Sequence, residues 1–385
     1  MPSLRDVANK ANVPILSAYQ VLSNTAPVEP QTRQAVIDAA EQLNYRLNVT
    51  IRDVADQAHV SIATVSYVLN NTVPVSAATR ERVLDAVAAL GYRPNITARN
   101  LKASETRMIG YAWHDVPPGQ MNTVLDRFIY CMALAAESYG YHVLTFTQPT
   151  ENVVQTYEEL ISINRVDGFV ISNTGLNDER IRRLMEMGVP FAAFGRANDE
   201  WDFPYVDVDG RQGIKTAVEH LLAQGHRRIG VLAWPEGSLS GDARLEGYLD
   251  ALETAGIKPE PDWIVRTQNA VHDGWQAAQR LMSARKPPTA VVCVSDMIAI
   301  GAMGYIESAG LRAGVDVAIT GFDDLPLSEH LRPPLTSLRQ PIELLARQVI
   351  DLLIAEIAQR RLPEHQILLA PTLIVRASSS QPLHC

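Results

Sequence analysis

The chain has 385 residues, 46% of them hydrophobic, and a net charge of −9, which is enough for two or three packed domains and argues against disorder. The opening MPSLRDVANK lacks the apolar run of an export signal, and no stretch reaches the roughly 18 uncharged apolar residues of a membrane span, so a cytoplasmic chain with no membrane partner is expected. Cys131, Cys293 and Cys385 are too few and too scattered for a disulfide framework or a zinc site.

Charge is unevenly divided along the chain. Residues 1–102 carry ten Lys/Arg against eight Asp/Glu, and the remainder 24 against 35. Only the N-terminal part can favour a polyanion, and residues 1–48, with four charges of each sign, could do so only through local clustering and helix N-termini.

The first elements repeat. At an offset of 47 residues, Leu4 to Asn48 matches Ile51 to Asn95 without a gap, with 22 identities in 45 pairs, which marks a tandem duplication of one unit. In the second copy Thr50 stands three residues before Asp53, the spacing of a capping box, and predicts a helix over 51–58. Ser61 caps a second helix over 62–70, and Ser76 a third that ends near Gly91. Ala55, Ala58, Val60, Val65, Val68, Leu69, Val83 and Leu90 fall on facing sides of these helices. The result is a helix-turn-helix whose second helix can enter a major groove.

TIRDVADQAHVSIATVSYVLN and VSAATRERVLDAVAALGYRPN together resemble the headpiece of the lactose-repressor (LacI/GalR) family of transcriptional regulators. The resemblance implies that Ile62, Ala63, Thr64, Ser66 and Tyr67 face the groove while Asn70 approaches phosphates; the caps Thr50 and Ser61 join this DNA-facing set. Tyr67 stands where most family members carry Arg, so the base read there should differ. In the first copy Pro14 replaces the Ser61 cap and no hinge follows Asn48. The corresponding residues there, Ile15, Leu16, Ser17, Tyr19 and Gln20, either read an extended operator or use the apolar Leu16 and Tyr19 for packing.

Asn95 to Lys102 makes about two helical turns, too short to be stable alone and so ordered mainly against DNA and a partner hinge. The likeness to the family hinge implies that Leu101 wedges into the minor groove, Ala98 faces the partner hinge, and Arg99 or Lys102 meets the backbone beside Asn95.

From Met108 onward short apolar strands alternate with amphipathic helices: strands at 108–112, 143–146, 166–172, 191–194, 229–233, 290–294 and 317–320, and a first helix around 125–139. Alternation of this kind implies parallel sheets, and the length needs two. Ligands of such folds gather at the carboxyl ends of strands, where His114, Asp115, Ser172, Asn173, Arg196, Trp234, Ser295, Asp296, Asp323 and Asp324 stand. HLLAQGHRRIGVL, ARLEGYLDAL, VSDMIAIGAM and ITGFDDLPLS carry the family resemblance through this region. It implies a periplasmic-binding-protein-like core of two Rossmann-like subdomains, with Asp209, Arg244, Ser295, Asp323 and Gln340 lining the cleft. Ser295 stands where the lactose repressor has Asn, so the ligand's hydroxyl pattern should differ.

Carboxylates, a guanidinium fork and an aromatic face such as Trp113, Trp234 or Trp275 suit a polyol, and a sugar is the expected effector; a purine or other metabolite is the alternative. Arg196 and Asp207 are either ligand contacts or a framework salt bridge. The expected organisation is an all-α pair of helix-turn-helix modules (1–48 and 49–94), a hinge helix (95–104) and an α/β core (105–385). As a whole the chain reads as a homodimeric, nucleoid-associated repressor of operator DNA, since VRASSSQPLHC lacks the heptad tail of a tetramer. No phosphate-binding glycine loop, Cys/His metal spacing or G-x-S-x-G elbow occurs, so neither an enzyme nor a cofactor is expected. A solute receptor that binds no DNA is opposed by the N-terminal modules.

Overall fold

The computed structural model describes residues 2–23, 25–45, 49–70, 73–92, 105–113, 123–149, 151–360 and 362–379. The expected hinge residues Asn95, Ala98, Arg99, Leu101 and Lys102 lie outside these, as do His114, Asp115 and Cys385. The chain divides into two compact units, Met1–Ser104 and Glu105–Cys385.

The first unit contains two three-helix modules: α1 (Leu4–Ala11), α2 (Ile15–Ser23) and α3 (Pro30–Gln42), then α4 (Ile51–Ala58), α5 (Ile62–Asn70) and α6 (Ala77–Ala89). The duplicated sequence starts each module in the same way. The Ser3 amide donates to Asp6 at 2.8 Å, and the Thr50 amide and hydroxyl both donate to Asp53 at 2.7 and 2.6 Å. Each first helix stops at a left-handed residue, Asn12 and His59, which turns the chain into the second helix. Ser61 Oγ accepts from the Thr64 amide at 3.1 Å and so caps α5. Small and β-branched residues fill both cores: Val7, Ala8, Ala18, Val21 and Val36 in the first, Val54, Ala55, Ala58, Val65 and Val83 in the second.

The second unit is α/β. Its chain order is β1 (Met108–Trp113), α7 (Thr123–Ser138), β2 (His142–Thr147), α8 (Gln155–Ser162), β3 (Gly168–Ile171), α9 (Glu179–Met187), β4 (Phe191–Phe194) and β5 (Tyr205–Val208). Next come α10 (Gly210–Ala223), β6 (Ile229–Ala233), α11 (Leu239–Thr254), β7 (Ile264–Arg266), α12 (Val271–Met282), β8 (Ala290–Cys293), α13 (Asp296–Ser308), β9 (Ala318–Asp323) and β10 (Thr336–Arg339). The last elements are α14 (Ile342–Ile357), β11 (Gln366–Leu369) and β12 (Thr372–Ile374).

These strands build two six-stranded sheets, ordered β2-β1-β3-β4-β5-β11 and β7-β6-β8-β9-β10-β12. Every pairing is parallel except β12 against β10. Helices cover both sheets, so the central strands are apolar throughout: Phe169, Val170 and Ile171, or Val291, Val292 and Cys293, are buried, as parallel sheets require. Strand order reverses beside β1 in one sheet and β6 in the other, the switch points at which such sheets bind ligands. The chain passes between the sheets three times, after β5, after β10 and after β11: α14 packs against α7, β3, β4 and β5 of the first sheet, although it follows β10 of the second.

Candidate functional site

In the first unit the outer face of α5 is open. Ile62 and Tyr67 are 42% and 41% exposed, Ser61 and Ala63 are exposed, and Thr64 and Ser66 are half-buried between them. Val65 and Val68 hold the opposite face in the core, so the helix presents the residues that the sequence assigns to a groove. Asn70 is its last residue. Thr50 is exposed at the start of α4, one helix away.

The first module differs at the equivalent face. No residue of α2 is exposed. Ile15, Leu16 and Tyr19 pack against the core of the second module, and Ser17 and Gln20 are half-buried beside them.

In the second unit, a cleft of about 180 Å³ is lined from the carboxyl ends of strands in both sheets. The first sheet contributes Asn173 and Thr174 after β3, Phe194 and Gly195 at β4, and Asp207 on β5; Val124 and Leu125 of α7 close that side. The second contributes Trp234 after β6, Asn269 after β7, Asp323 at the end of β9 and Gln340 after β10, with Ser238, Ser240 and Arg244 from the start of α11.

Arg244 sits at the centre of the site. Its guanidinium lies 4.5 Å from the Trp234 ring and 3.7 Å from that of Phe322, and Nη1 donates to the Val294 carbonyl at 2.6 Å. Gly210 makes room for it: a Cβ there would stand 2.8 Å from Arg244 Cγ. Two buried donors on residues that line this cleft have no protein partner, Arg244 Nε and Trp234 Nε1. A buried donor without an acceptor costs about 1–3 kcal/mol.

Two carboxylates supply the complementary chemistry. Asp323 accepts from Gln340 Nε2 at 2.6 Å, and burial pushes its pKa up to about 7, against the opposing pull of the Arg244 charge. Asp207 is held by Arg196 Nε at 3.1 Å and by the Ser240 hydroxyl at 2.9 Å. Asp323 and Asp324 both have positive φ, 115° and 52°, a backbone that L-residues adopt at a cost. Asp296 anchors the strained segment from behind, accepting from the Leu325 amide at 2.8 Å and from the Ser328 and Ser337 hydroxyls at 2.6 Å. Its burial raises its pKa to about 6.

Comparison with known proteins places this architecture. The profile of the bacterial regulatory proteins, lacI family, matches twice, at residues 3–48 and 50–95, and that of the periplasmic binding protein-like domain matches residues 218–379. The transcriptional regulator GalR of Escherichia coli K12 is 33% identical over 388 aligned positions, covering 99% of this chain and 97% of its own. The chain belongs to the lacI family. Two solved lacI-family structures resemble it at 29% identity over 86% of this chain. One is the lac repressor dimer bound to operator and the anti-inducer ONPF, with a TM-score of 0.76 and 99% of that chain covered. The other is the complex of the regulator CelR with cellobiose, with a TM-score of 0.67 and 100% covered. As a lacI-family member the protein is a DNA-binding transcriptional regulator, built as helical headpieces and an α/β core of two parallel-sheet subdomains.

Of the seven cleft residues expected from sequence, this lacI-family core brings four together: Trp234, Arg244, Asp323 and Gln340. Three stand elsewhere. Asp209 is the N-cap of α10, accepting from the Gln212 amide at 2.9 Å, because the chain leaves the first sheet at that point and the helix start needs an acceptor. Ser295 is fully buried at the start of α13, where it caps the helix and donates to Asn269 Oδ1 at 2.6 Å, so it positions a lining residue instead of being one. Arg196 does not line the cleft but forms the framework ion pair with Asp207, whose carboxylate does. Trp275 packs edge-on against Tyr305, with centroids 5.3 Å apart, and Trp113 is 44% exposed outside the cleft lining. Sequence reasoning did not single out Ser238, Ser240 or Asn269; a Ser-x-Ser at the start of α11, where free amides gather, was the available signal.

Proposed function

We propose that the protein is a repressor whose α5 and hinge segment bind operator DNA and whose cleft takes a neutral polyhydroxylated effector, a sugar. The observation that carries the ligand reading is the pair of unpartnered buried donors, Arg244 Nε and Trp234 Nε1, on residues that line the cleft together with the acceptor Asp323. A hydroxyl both accepts and donates, and so satisfies both sides at once. Charge at Asp207 supports neutrality: its carboxylate is balanced by Arg196, and a second carboxyl, Asp323, lines the same cleft, which disfavours an anionic ligand. The cleft, about 180 Å³, is below the roughly 300–1,000 Å³ of pockets for drug-sized ligands, which favours a single ring.

The family likeness to a dimer on operator supports a homodimer, as do Tyr130 and Leu134, one turn apart on α7 and 57% and 52% exposed. Its place of work is the cytoplasm, at the nucleoid, where its DNA is. The test is a thermal-shift screen of the full chain with neutral aldoses, uronates and nucleosides, followed by operator gel shifts with the best binder. Stabilisation by neutral sugars together with a changed operator affinity is expected; stabilisation confined to uronates or to nucleosides overturns the assignment.

A further inference from the structure

The two copies of the duplicated module keep the same helices and the same core and differ at one face. On α5 that face is open, with Ile62 and Tyr67 more than two-fifths exposed. On α2 the equivalent face is covered, since Ile15, Leu16 and Tyr19 lie against the core of the second module. The Tyr19 hydroxyl comes so close to Gly91 that a Cβ there would meet it at 2.5 Å. An ion pair adds to the contact: Arg5 Nη1 meets Asp56 Oδ1 at 2.6 Å, with Asp56 largely shielded. The duplicate of Asp56 is Asn9, so Arg52, the duplicate of Arg5, has no reciprocal carboxylate at that position. The contact is therefore one-way: the first module docks on the second through α2, and no symmetric exchange frees that helix.

We infer that the first module is not a second DNA reader: α2 is a docking helix, and each chain brings one reading helix, α5, to the operator. For α2 to enter a groove it would have to leave the second module, exposing Ile15, Leu16 and Tyr19 and parting Arg5 from Asp56. The sequence differs at four of the five groove-face positions, with Ser66 of α5 replaced by the docking Tyr19 and Thr64 by Ser17. Ala63 of α5 becomes the larger, apolar Leu16, and exposed Tyr67 becomes half-buried Gln20. The module's work is to brace the second one, laying Ile15, Leu16 and Tyr19 against its apolar core.

This inference rests on the reading of α5 as the operator helix, and the experiment separates the two. Operator sites are selected from a random DNA library with the full chain and its variants Ser17→Ala, Gln20→Ala, Leu16→Asp and Tyr67→Ala, with hydroxyl-radical footprints on the best site. The expected result is an unchanged motif and footprint for all three α2 variants, with affinity within about threefold for Ser17→Ala and Gln20→Ala. Leu16→Asp should also speed amide exchange in α4 and around Gly91 by more than tenfold. Loss of base positions from the motif, or a shortened footprint, in Ser17→Ala or Gln20→Ala overturns the inference, as does unchanged exchange in Leu16→Asp. An unchanged motif in Tyr67→Ala instead overturns the assignment of α5 and leaves the docking of α2 standing.

Discussion

On the proposed sugar reading, Arg244 and Trp234 divide the recognition chemistry at the scale of single side chains. Trp234→Phe keeps an aromatic ring beside the guanidinium but removes the Nε1 donor and part of the ring surface, so effector affinity should fall by at least about 1 kcal/mol, roughly fivefold, as read by isothermal titration. Arg244→Met leaves Asp323 buried without its counter-charge and should cost at least about 2 kcal/mol of effector binding, roughly 30-fold. Asp323 sets the pH dependence. An ionised carboxylate is the stronger acceptor for hydroxyls, and the Asp323 pKa is raised to about 7, so on the proposed sugar reading effector affinity should be higher above pH 8 and decline as pH falls through 7. Asp323→Asn should flatten that profile. The ligand-free core follows the opposite sense. Asp323 and Asp296 both have raised pKa values, about 7 and about 6, so the folded state holds protons that the unfolded chain releases between about pH 4 and 7. Their contribution to stability is present at low pH and lost as pH rises through those values; the melting temperature should be higher at pH 5.5 than at pH 8.

Secondary-structure elements show where sequence was informative and where it was not. Capping boxes and 3.6-residue spacing made the second module legible almost to the residue, because a cap is a local chemical requirement. Strands with long apolar runs, such as β3, β6 and β8, were legible for the same reason. β7, β11 and β12 are three or four residues long and only partly buried, and their existence is decided by neighbours far along the chain, so no local pattern announces them. The cleft was legible where a motif held a residue in place, as RLEGY does Arg244. It was misread at Asp209 and Ser295, whose side chains are consumed by helix caps. Close helix crossings were not foreseen either. A Cβ on Gly301 would stand 2.0 Å from the Val271 carbonyl oxygen, and one on Gly274 2.5 Å from that of Ile298, so α12 and α13 meet backbone to backbone. Gly301→Ala has to push these helices apart and should destabilise the core by about 1–3 kcal/mol, measured by urea unfolding of the full chain.

For the whole molecule, the polar and apolar surfaces assign different jobs to the two units. Residues 1–102 hold the positive balance and the remainder the negative one, which keeps the ligand core from competing for the polyanion. The exposed pair Tyr130 and Leu134 on α7 gives the proposed dimer a testable face. Leu134→Asp should shift the protein to monomer in sedimentation and lower operator affinity by more than tenfold, while leaving effector binding within about twofold, since neither residue lines the cleft.

The three passages between sheets have a mechanical meaning. Two of them leave adjacent strands, β5 and β11, and are tied together where the Asp209 amide donates to the Leu369 carbonyl at 2.9 Å; the second and third meet adjacent strands, β10 and β12, in the other sheet. Side-by-side links of this kind should favour bending over twisting and sliding. The jaws then travel a single arc whatever molecule lies between them. Different effectors would set how far along that arc the population sits, and a single distance across the cleft would report them all on one common scale.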